Sequence, residues 1–467
     1  MSSITPTVVR NCVLNSGFSF TNRTNAWLGT WCRNIKTPLY KNIKDYQKFN
    51  HFPAIYQIGR KDHLHRNITR MVNNFGSEQF GFTPQTFILP ANMKAFFAAW
   101  KANPCKKWII KPPASARGLG IKVVSKVDDA LVSRMIIIQK YISNPYLIDG
   151  NKFDMRIYVY VSCFNPLRVY MGRNGLARFA TAKYSNKQNS LKNRFVHLTN
   201  YSINKKNSDL EVIDSSNAAD GTLLALWNYL DKKGVNSKMI WESIKDIVVK
   251  TIVSSETHIR NLTSLKTKNP YCCHELLGFD VLLDQDLKTW LLEVNISPSL
   301  HSSTELDRSV KEPMIVDILN TAGYRIPESF DLISSGNKHV DWNTYTPSNN
   351  VCIDKRFHNR KLSHDDKEKH SIYQQAFLEQ EKLTANDLKV LIDTIDEQKR
   401  CGLLEVVYPT RSTLCYLKYF DNPHYYNLLV QAWCIRYPTD DAEGIIMLNK
   451  YCWHELHLKT TPSSNHE

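Results

Sequence analysis

The chain has 467 residues, of which 42% are hydrophobic, so it can bury a sizeable core and is not a wholly disordered protein. Its formal net charge of +16 is unevenly distributed: residues 1–210 carry 32 Lys and Arg against 8 Asp and Glu, whereas the remaining residues carry 28 against 36. No apolar run reaches the length of a membrane span, and the N-terminus lacks a signal-peptide pattern, so we expect no membrane partner.

The charge and the cysteines restrict the kind of partner. The basic first part predicts a positive field that attracts anions such as nucleotides or acidic peptides. Nucleic acid is not favoured, because the sequence contains no zinc-finger, RRM or helix-turn-helix motif. The eleven cysteines include no CxxC pair, which favours reduced thiols over a disulfide framework or a zinc site.

The order of the predicted elements indicates an α+β protein. Residues 1–104 mix short strands and helices, and short β-rich runs dominate residues 105–210. Helical patterning follows in residues 221–259, where Gly234 is expected to break the helix. A strand pair at 277–295 and a helix at about 307–323 complete this part. Strands followed by helices and again by strands favour an antiparallel sheet.

The C-terminal part has a different pattern. Residues 331–350 are predicted to be a linker, and residues 364–400 are predicted to be helical and are heavily charged. Thr384 is placed to cap a helix together with Asp387. An apolar stripe with helical spacing is expected to dock on a neighbouring helix rather than on a membrane. It consists of Leu388, Leu391, Ile392 and Ile395.

The segment LLGFDVLLDQDLKTWLLEVN, residues 276–295, predicts a β-hairpin. A two-residue turn at Gln285-Asp286 would pair Asp284 with Leu287 and would set Asp280 opposite Leu291. Because side chains alternate between the two faces of a strand, one face is expected to be apolar and the other to carry the polar groups. The expected apolar face contains Phe279, Val281, Leu283, Trp290, Leu292 and Val294. The expected polar face contains Asp280, Leu282, Leu291, Glu293 and Asn295.

Two carboxylates and an amide oxygen on one face of an apolar hairpin favour a hard cation. Asp280 and Glu293 become diagonal neighbours in this register, and Asn295 lies on the same face. Mg²⁺ prefers such oxygen ligands together with water and substrate phosphates. The alternative is that each side chain faces solvent on a half-exposed sheet, which is the commoner situation for a single acidic residue.

Five further segments carry polar groups among apolar ones. They are WIIKPPASARGLGIKV (108–123), MIIIQKYI (135–142), NKFDMRIYVYV (151–161), GLARFAT (175–181) and FVHLTNYSINKK (195–206). In the first, Gly118 and Gly120 would allow backbone N–H groups to approach phosphate oxygens, although the Walker pattern GxxxxGK[ST] is absent. Taken singly, each segment is also compatible with an ordinary turn, loop or strand.

Taken together and in this order, the motifs resemble the tubulin tyrosine ligase-like family of ATP-grasp ligases. The matching stretches are IIKPPASARGLGI, QKYI, KFDMRIYVYV, GLARFA, HLTNYSINK, CHELLGFDVLLD and WLLEVNISPSLHSS. They span roughly residues 50–325, and the resemblance is strongest to a glutamate-adding member. It implies an N-terminal α/β domain at 1–104, a central ATP-grasp lobe at 105–190 and a C-terminal ATP-grasp lobe with the metal site at 191–328. A linker at 329–363 and a mainly helical extension at 364–467 would follow.

The resemblance also implies roles for individual residues. The ATP site would be lined by Lys111, Arg117, Gly118, Gln139, Lys140, Tyr141, Ile142, Lys152, Asp154, Thr199 and Asn200. Mg²⁺ would be held by Asp280, Glu293 and Asn295. The incoming amino acid would be bound by Arg178, Tyr201, Ser202 and Lys311. The groups acting at the reacting atoms would be Lys111, Arg178 and Glu293.

The implied activity is ATP-dependent glutamylation of tubulin. A glutamate side chain of an acidic tail would become an acyl phosphate, and the α-amine of free L-glutamate would displace phosphate to form an isopeptide bond. The resemblance further implies a cytoplasmic monomer that acts on tubulin or microtubules, including those of cilia or basal bodies. A ligase for glycine or tyrosine, a non-catalytic microtubule-binding protein and an ATP-grasp enzyme that makes small peptides remain open alternatives.

Overall fold

The computed structural model describes most of the chain and confirms the predicted α+β class. The described residues are 5–21, 27–32, 37–113, 118–125, 135–199, 221–269, 271–324, 383–437 and 442–458. The described residues contain both strands and helices, and the two larger sheets are antiparallel.

The strands of the described residues form three sheets. In chain order the strands are β1 (Gly29–Thr30), β2 (Lys48–Phe49), β3 (Thr86–Leu89), β4 (Trp108–Lys111), β5 (Lys122–Val124), β6 (Ile136–Lys140), β7 (Leu147–Ile148), β8 (Asn151–Phe164), β9 (Leu167–Gly172), β10 (Leu176–Phe179), β11 (Glu275–Leu283), β12 (Thr289–Asn295) and β13 (Leu404–Tyr408). The largest sheet has the order β12-β11-β8-β9-β13, and β7 and β10 also pair with β8. The four-stranded sheet has the order β3-β6-β4-β5, and β1 pairs with β2 in parallel.

The helices cover both faces of the largest sheet. In chain order they are α1 (Thr7–Asn15), α2 (Tyr56–Gly59), α3 (Lys61–Phe75), α4 (Ser77–Phe80), α5 (Met93–Ala102), α6 (Arg194–His197), α7 (Leu223–Lys232), α8 (Ser237–Lys266), α9 (Glu305–Ala322), α10 (Ala385–Lys399), α11 (Tyr425–Arg436) and α12 (Ala442–Trp453). The predicted break at Gly234 is confirmed, because that residue has φ +79° and lies between α7 and α8. None of the described helices combines the length and the hydropathy that a membrane span requires.

Strand β8 is buried along its whole length and divides two cores. Met155, Ile157 and Val159 point into a core that is shared with α3 and α8. Tyr158 and Tyr160, on the opposite face, pack under α1 and α9. Because side chains alternate, Lys152, Asp154 and Arg156 lie on the same face as these tyrosines, toward the beginning of the strand. All three charged side chains are buried, so this is not a half-exposed strand.

The hairpin β11–β12 has a longer turn than predicted. The backbone N–H of Asp284 donates to the carbonyl of Lys288 at 3.1 Å, and Leu287 has φ +60°. The Asp284 carboxylate accepts from the backbone N–H groups of Asp286 (3.0 Å) and Lys288 (2.9 Å) and from the indole N–H of Trp290 (2.7 Å). These bonds stabilise a turn that covers residues 284–288, so the predicted pairing of Asp284 with Leu287 is wrong.

A β-bulge also changes the register beyond the turn. Val281 lies opposite Leu291, but Asp280 lies opposite Glu293, which leaves Leu292 as the extra residue. The predicted pairing of Asp280 with Leu291 is therefore wrong. Asp280 and Glu293 are direct rather than diagonal neighbours, and they still share one face.

The longer turn and the bulge together change the faces of three apolar residues. Leu291 is buried in the core that contains Phe279 and Val281, so its predicted place on the polar face is wrong. Leu292 lines the polar cleft described below, and Trp290 lies opposite Leu282, which also lines that cleft. Their predicted places on the apolar face are wrong as well.

The C-terminal part begins with the predicted cap. Thr384 Oγ1 accepts from the N–H of Asp387 at 3.2 Å, and the Asp387 carboxylate accepts from the N–H of Thr384 at 2.9 Å. The predicted docking of the apolar stripe is confirmed, since Leu388 and Leu391 pack in one cluster with Trp433 of α11. The predicted linker at 331–350 and the predicted helical residues 364–382 lie outside the described residues.

The C-terminal part also contributes to the largest sheet. Strand β13 pairs with β9, and Glu397 of α10 lies 3.1 Å from Arg168 of β9. The same carboxylate accepts from Tyr170 Oη at 2.7 Å, and it also accepts from Ser162. A buried ion pair therefore joins α10 to β9, and strand pairing joins β13 to the same strand of the largest sheet.

Candidate active site

A polar cleft with an empty volume of about 670 Å³ lies between the four-stranded sheet and the largest sheet. The first sheet contributes Lys111 from β4 and Gln139 from β6. The second contributes residues of β8 and of the hairpin. The complete lining is Pro84, Ile109, Lys111, Ile121, Gln139, Lys140, Tyr141, Ile142, Lys152, Asp154, His197, Leu198, Thr199, Asp280, Leu282, Leu292 and Glu293. Most of the sequence-predicted ATP-site residues are therefore brought together.

Two buried lysines face the cleft, and their ammonium groups donate hydrogen bonds to uncharged partners. Lys111 Nζ donates to Gln139 Oε1 at 2.7 Å, and Lys152 Nζ donates to the Tyr141 hydroxyl at 3.2 Å and to the His197 carbonyl at 3.0 Å. Burial lowers the pKa of each lysine to about 8. Within the described part of the chain, no carboxylate oxygen lies within 4.0 Å of either ammonium. Buried cations of this kind are stabilised by an anion in the cleft.

Sheet pairing places two arginines against two aspartates that line the cleft, although neither arginine is itself part of the lining. Arg178 of β10 lies opposite Asp154 of β8, and Arg156 of β8 lies opposite Asp280 of β11. Arg178 donates to Asp154 at 2.6 Å and to Asp280 at 2.9 Å, while Arg156 donates to both oxygens of Asp280 at 2.5 and 3.1 Å. Burial disfavours the charged form of Asp280, yet the two guanidinium groups hold the pKa of that carboxyl well below its usual range. Asp280 therefore remains an anion.

The three predicted metal ligands converge. Asn295 Nδ2 lies 3.4 Å from Asp280 Oδ2 and 3.5 Å from Glu293 Oε1. The two ends of an amide are assigned from their surroundings, and the opposite assignment would place Asn295 Oδ1 beside these carboxylates. Three oxygens would then surround one point, which fits a hard cation that completes its shell with water and phosphate. Among the described residues, no group of three or more His, Cys, Asp or Glu side chains is placed to hold a metal ion, so the amide is essential to this set.

Other predicted site residues lie at the edge of the cleft or elsewhere. Thr199 lines the cleft and donates its hydroxyl to Asp154. Gly118 has φ +71°, and its carbonyl accepts from Arg194 at 2.6 Å, but it does not line the cleft. Lys311 lies outside the lining, where its ammonium bonds the carbonyl of His301 at 2.5 Å and the carboxylate of Asp307. Four predicted residues lie outside the described residues, namely Arg117, Asn200, Tyr201 and Ser202.

Three residues at the site were not predicted to belong to it. Lys61, the first residue of α3, places its Nζ 2.9 Å from Glu293 Oε2. The sequence identified Arg156 only as one of the charged residues that alternate with apolar residues in β8. That alternation is the signal that could have placed Arg156 at the site. His197 shares a 2.9 Å hydrogen bond with Tyr141, and burial lowers the pKa of its imidazole to about 4. No local pattern links Lys61 to the hairpin, because the two segments are distant in the chain.

Comparison with known proteins identifies similar sequences over almost the whole chain. Residues 40–334 match the model of the tubulin-tyrosine ligase family. The chain is 44% identical over 469 residues to the mouse protein named tubulin monoglutamylase TTLL4, an alignment that covers 98% of this chain and 39% of that protein. It is 38% identical over 475 residues to the Caenorhabditis briggsae protein named tubulin polyglutamylase ttll-4, with 98% and 75% covered. Human tubulin polyglutamylase TTLL5 is 35% identical over 428 residues, with 87% and 32% covered.

Proposed function

The chain belongs to the tubulin-tyrosine ligase family, and we propose that it is an ATP-dependent ligase that adds glutamate to glutamate side chains in acidic tubulin tails. One observation supports this most directly. A single cleft joins two buried ammonium groups, which favour phosphate, to Asp280 and Glu293, and Asn295 contacts both carboxylates to complete a set that favours Mg²⁺. The names of the relatives support glutamate as the donor and tubulin as the acceptor. The chain spans 39% of the mouse relative's length, so this activity is proposed for the region that they share.

We infer that the cleft binds the triphosphate and base of ATP. Lys111 and Lys152 would hold phosphate oxygens, and the backbone of residues 139–142 would face the base. Asp154 and Thr199 would border the ribose, while the loop with Arg117 and Gly118 and the segment with Asn200 would complete the site. ATP supplies the γ-phosphoryl group that activates the acceptor. The task of the chain is to position the phosphates and to neutralise their charge.

The hairpin would hold Mg²⁺ through Asp280, Glu293 and Asn295. Bound Mg²⁺ would neutralise charge on the phosphate oxygens. Arg156 and Arg178 keep Asp280 ionised, and they orient its carboxylate from the side opposite Glu293.

The proposed reaction proceeds in two steps. An oxygen of the acceptor carboxylate attacks the γ-phosphorus, the bond to the β-phosphate oxygen breaks, and ADP and an acyl phosphate result. The α-amino nitrogen of glutamate then attacks the carbonyl carbon, and phosphate leaves with its electron pair. The ammonium group of glutamate loses two protons in total, of which one ends on phosphate and one in solution. Arg178, Tyr201, Ser202 and Lys311 would bind the carboxylates of the incoming glutamate.

The proposal is tested by offering purified tubulin, ATP and Mg²⁺ together with equal amounts of isotope-labelled glutamate, glycine and tyrosine. Mass spectrometry of the tails is expected to show glutamate attached to internal glutamate side chains, and the Glu293→Gln variant is expected to attach none. Preferred uptake of glycine or tyrosine would overturn the proposed substrate. Tubulin binding without any transfer would identify a non-catalytic microtubule-binding protein, and transfer without tubulin would identify a maker of small peptides.

The same proposal implies where in the cell the enzyme acts. Its partners would be cytoplasmic microtubules, including those of cilia and basal bodies, and the enzyme would act as a monomer.

A further inference from the structure

Helix α3 brings a cation to the metal-binding hairpin from outside both larger sheets. Lys61 begins this helix, and its Nζ lies 2.9 Å from Glu293 Oε2, with side-chain exposures of 13% and 20%. Burial lowers the pKa of Lys111 most, the charge of Glu293 raises it, and the charge of Lys61 lowers it. Lys61 therefore lies beside the proposed reacting centre, at an edge that solvent still reaches.

A second hollow lies along α3 and begins at His65, about one helical turn beyond Lys61. Its empty volume is about 770 Å³, and it is lined by His65, Arg66, Thr69, Arg70, Asn73, Asn74, Ile88, Ala91 and Asn92. We call it the α3 groove. None of these residues is acidic. Arg66 is exposed, whereas Arg70 pairs with Asp421 at 2.5 Å. The groove therefore offers positive charge and amide groups.

Helical spacing connects the groove to Lys61. Positions 61, 65 and 69 follow each other at intervals of four residues, so their side chains lie along one stripe of the helix. At about 1.5 Å per residue, the distance along the axis from Lys61 to Asn74 is roughly 20 Å. An extended peptide of about six residues covers that length. The groove covers the part of this length from His65 to Asn74, and an acidic peptide that extends about one helical turn beyond it would reach Lys61.

We propose that Lys61 binds the side-chain carboxylate of the acceptor glutamate and that the α3 groove holds the acidic peptide carrying it. This inference rests on the proposed function, because it assigns the acceptor side of the same cleft. Lys61 forms no covalent bond in the proposed reaction. It exchanges the Glu293 carboxylate for the acceptor carboxylate and thereby offsets the repulsion between that carboxylate and the phosphate it attacks.

The experiment uses four variants of the full chain and two measurements. Lys61→Gln and Lys61→Arg change the proposed carboxylate-binding residue, and Arg66→Gln changes the groove. Lys238→Gln is the matched control, since Lys238 is an exposed lysine in the first turn of α8. The first measurement is steady-state transfer to a glutamate-rich peptide with saturating ATP, Mg²⁺ and donor glutamate. The second is fluorescence anisotropy of the same labelled peptide without ATP, which reports binding independently of catalysis.

The expected results separate the two parts of the surface. Lys61→Gln should lower kcat/KM for the acceptor about 10- to 100-fold, the loss typical of a hydrogen bond to a charged group, and should weaken peptide binding. Lys61→Arg should restore most of the binding. Arg66→Gln should raise the acceptor KM about 2- to 5-fold with kcat unchanged, as for an exposed charge pair, and should reduce its salt dependence. Lys238→Gln should match the wild type.

The alternative is that Lys61 only orients Glu293. In that case Lys61→Gln would shift the Mg²⁺ dependence of the reaction and leave peptide binding unchanged, which would overturn the inference. Thermal melts show whether the variants are folded. If Lys61→Gln has a lowered melting temperature, peptide binding by Lys61→Arg and Arg66→Gln tests the inference instead. Unchanged peptide binding in Arg66→Gln would overturn the groove assignment. A wild-type chain that transfers nothing would refute the proposed function, whereas loss of peptide binding in Lys61→Gln would still support the acceptor surface.

Discussion

Nucleotide binding is expected to draw protons into the cleft at mildly alkaline pH. Burial lowers the pKa of Lys111 and of Lys152 to about 8, whereas an ordinary lysine has a pKa of about 10.4. If phosphate oxygens restore the ordinary value, each lysine gains about half a proton at pH 8 and about 0.9 at pH 9. The pair would then take up about one proton at pH 8 and nearly two at pH 9. The linked free energy is about 3 kcal/mol for each lysine.

The folding stability of the empty chain and the affinity for ATP should change with pH in opposite directions. Between pH 8 and about 10.4 the unfolded chain binds more protons than the empty folded chain, so the stability of the empty chain rises with pH across this window. Affinity for ATP should fall across the same window, because binding requires the protonated lysines. The charged groups that affect the pKa of Lys111 are Glu293, Lys61 and Asp280, and those that affect the pKa of Lys152 are Asp154 and Lys111.

Isothermal titration calorimetry at pH 9 in buffers of different ionisation enthalpy measures the number of protons taken up. Lys111→Met and Lys152→Met should each remove about half of the uptake, whereas the exposed control Lys238→Met should not change it. Uptake near zero in the wild type would refute the reasoning. An uptake that neither cleft variant reduces would also refute it, since the protons would then belong to other groups.

Three further outcomes are expected. Glu293→Gln should remove ligation without changing the melting temperature, and near-normal glutamylation by this variant would show that Glu293 holds no metal. Glu397→Ala should lower the free energy of unfolding by about 3–5 kcal/mol in urea denaturation, because it leaves Arg168 buried without its carboxylate. Asp396→Ala, which removes an exposed ion pair on the same helix, should cost no more than about 1 kcal/mol; equal losses would contradict this argument. Added salt should reduce kcat/KM for the acidic acceptor by screening the basic surface, and a flat salt profile would contradict that role.

The parts of the site that follow from alternation within one strand could be predicted from the sequence. The period of two in β8 places Lys152, Asp154 and Arg156 on one face, and the structure shows all three there, buried. The convergence of Glu293 and Asn295 has the same origin, because they are two residues apart on β12. These relations depend on strand geometry and not on which strands are neighbours.

The register of the hairpin could not be predicted, because it depends on one side chain and one bulge. The carboxylate of Asp284 stabilises a longer turn, which shifts the pairing by one residue and exchanges the faces of Trp290 and Leu291. The bulge at Leu292 adds a second shift of one residue. Two such shifts restore the original alternation, so Glu293 lies on the predicted face although its predicted partner was wrong.

The pairing of charges across strands required the sheet order. Arg178 contacts both Asp154 and Asp280 because β10 and β11 both pair with β8, and no spacing within the sequence reveals that arrangement. Lys61 was missed for the same reason. Its contact with Glu293 joins a helix of the N-terminal part to the last strand of the cleft, which only tertiary packing brings together.

The packing of α3 shows how distant parts of the chain can affect one end of the cleft. Its last turns contact the C-terminal part, where Arg70 pairs with Asp421, and the helix that follows it contributes Gln79, which accepts from Tyr419 Oη at 2.7 Å. Its first residue, Lys61, contacts Glu293. Phe75, the last residue of α3, packs against Tyr419 with the ring centroids 5.0 Å apart, so the segment Arg411–Tyr419 and the hairpin contact the same helix at opposite ends.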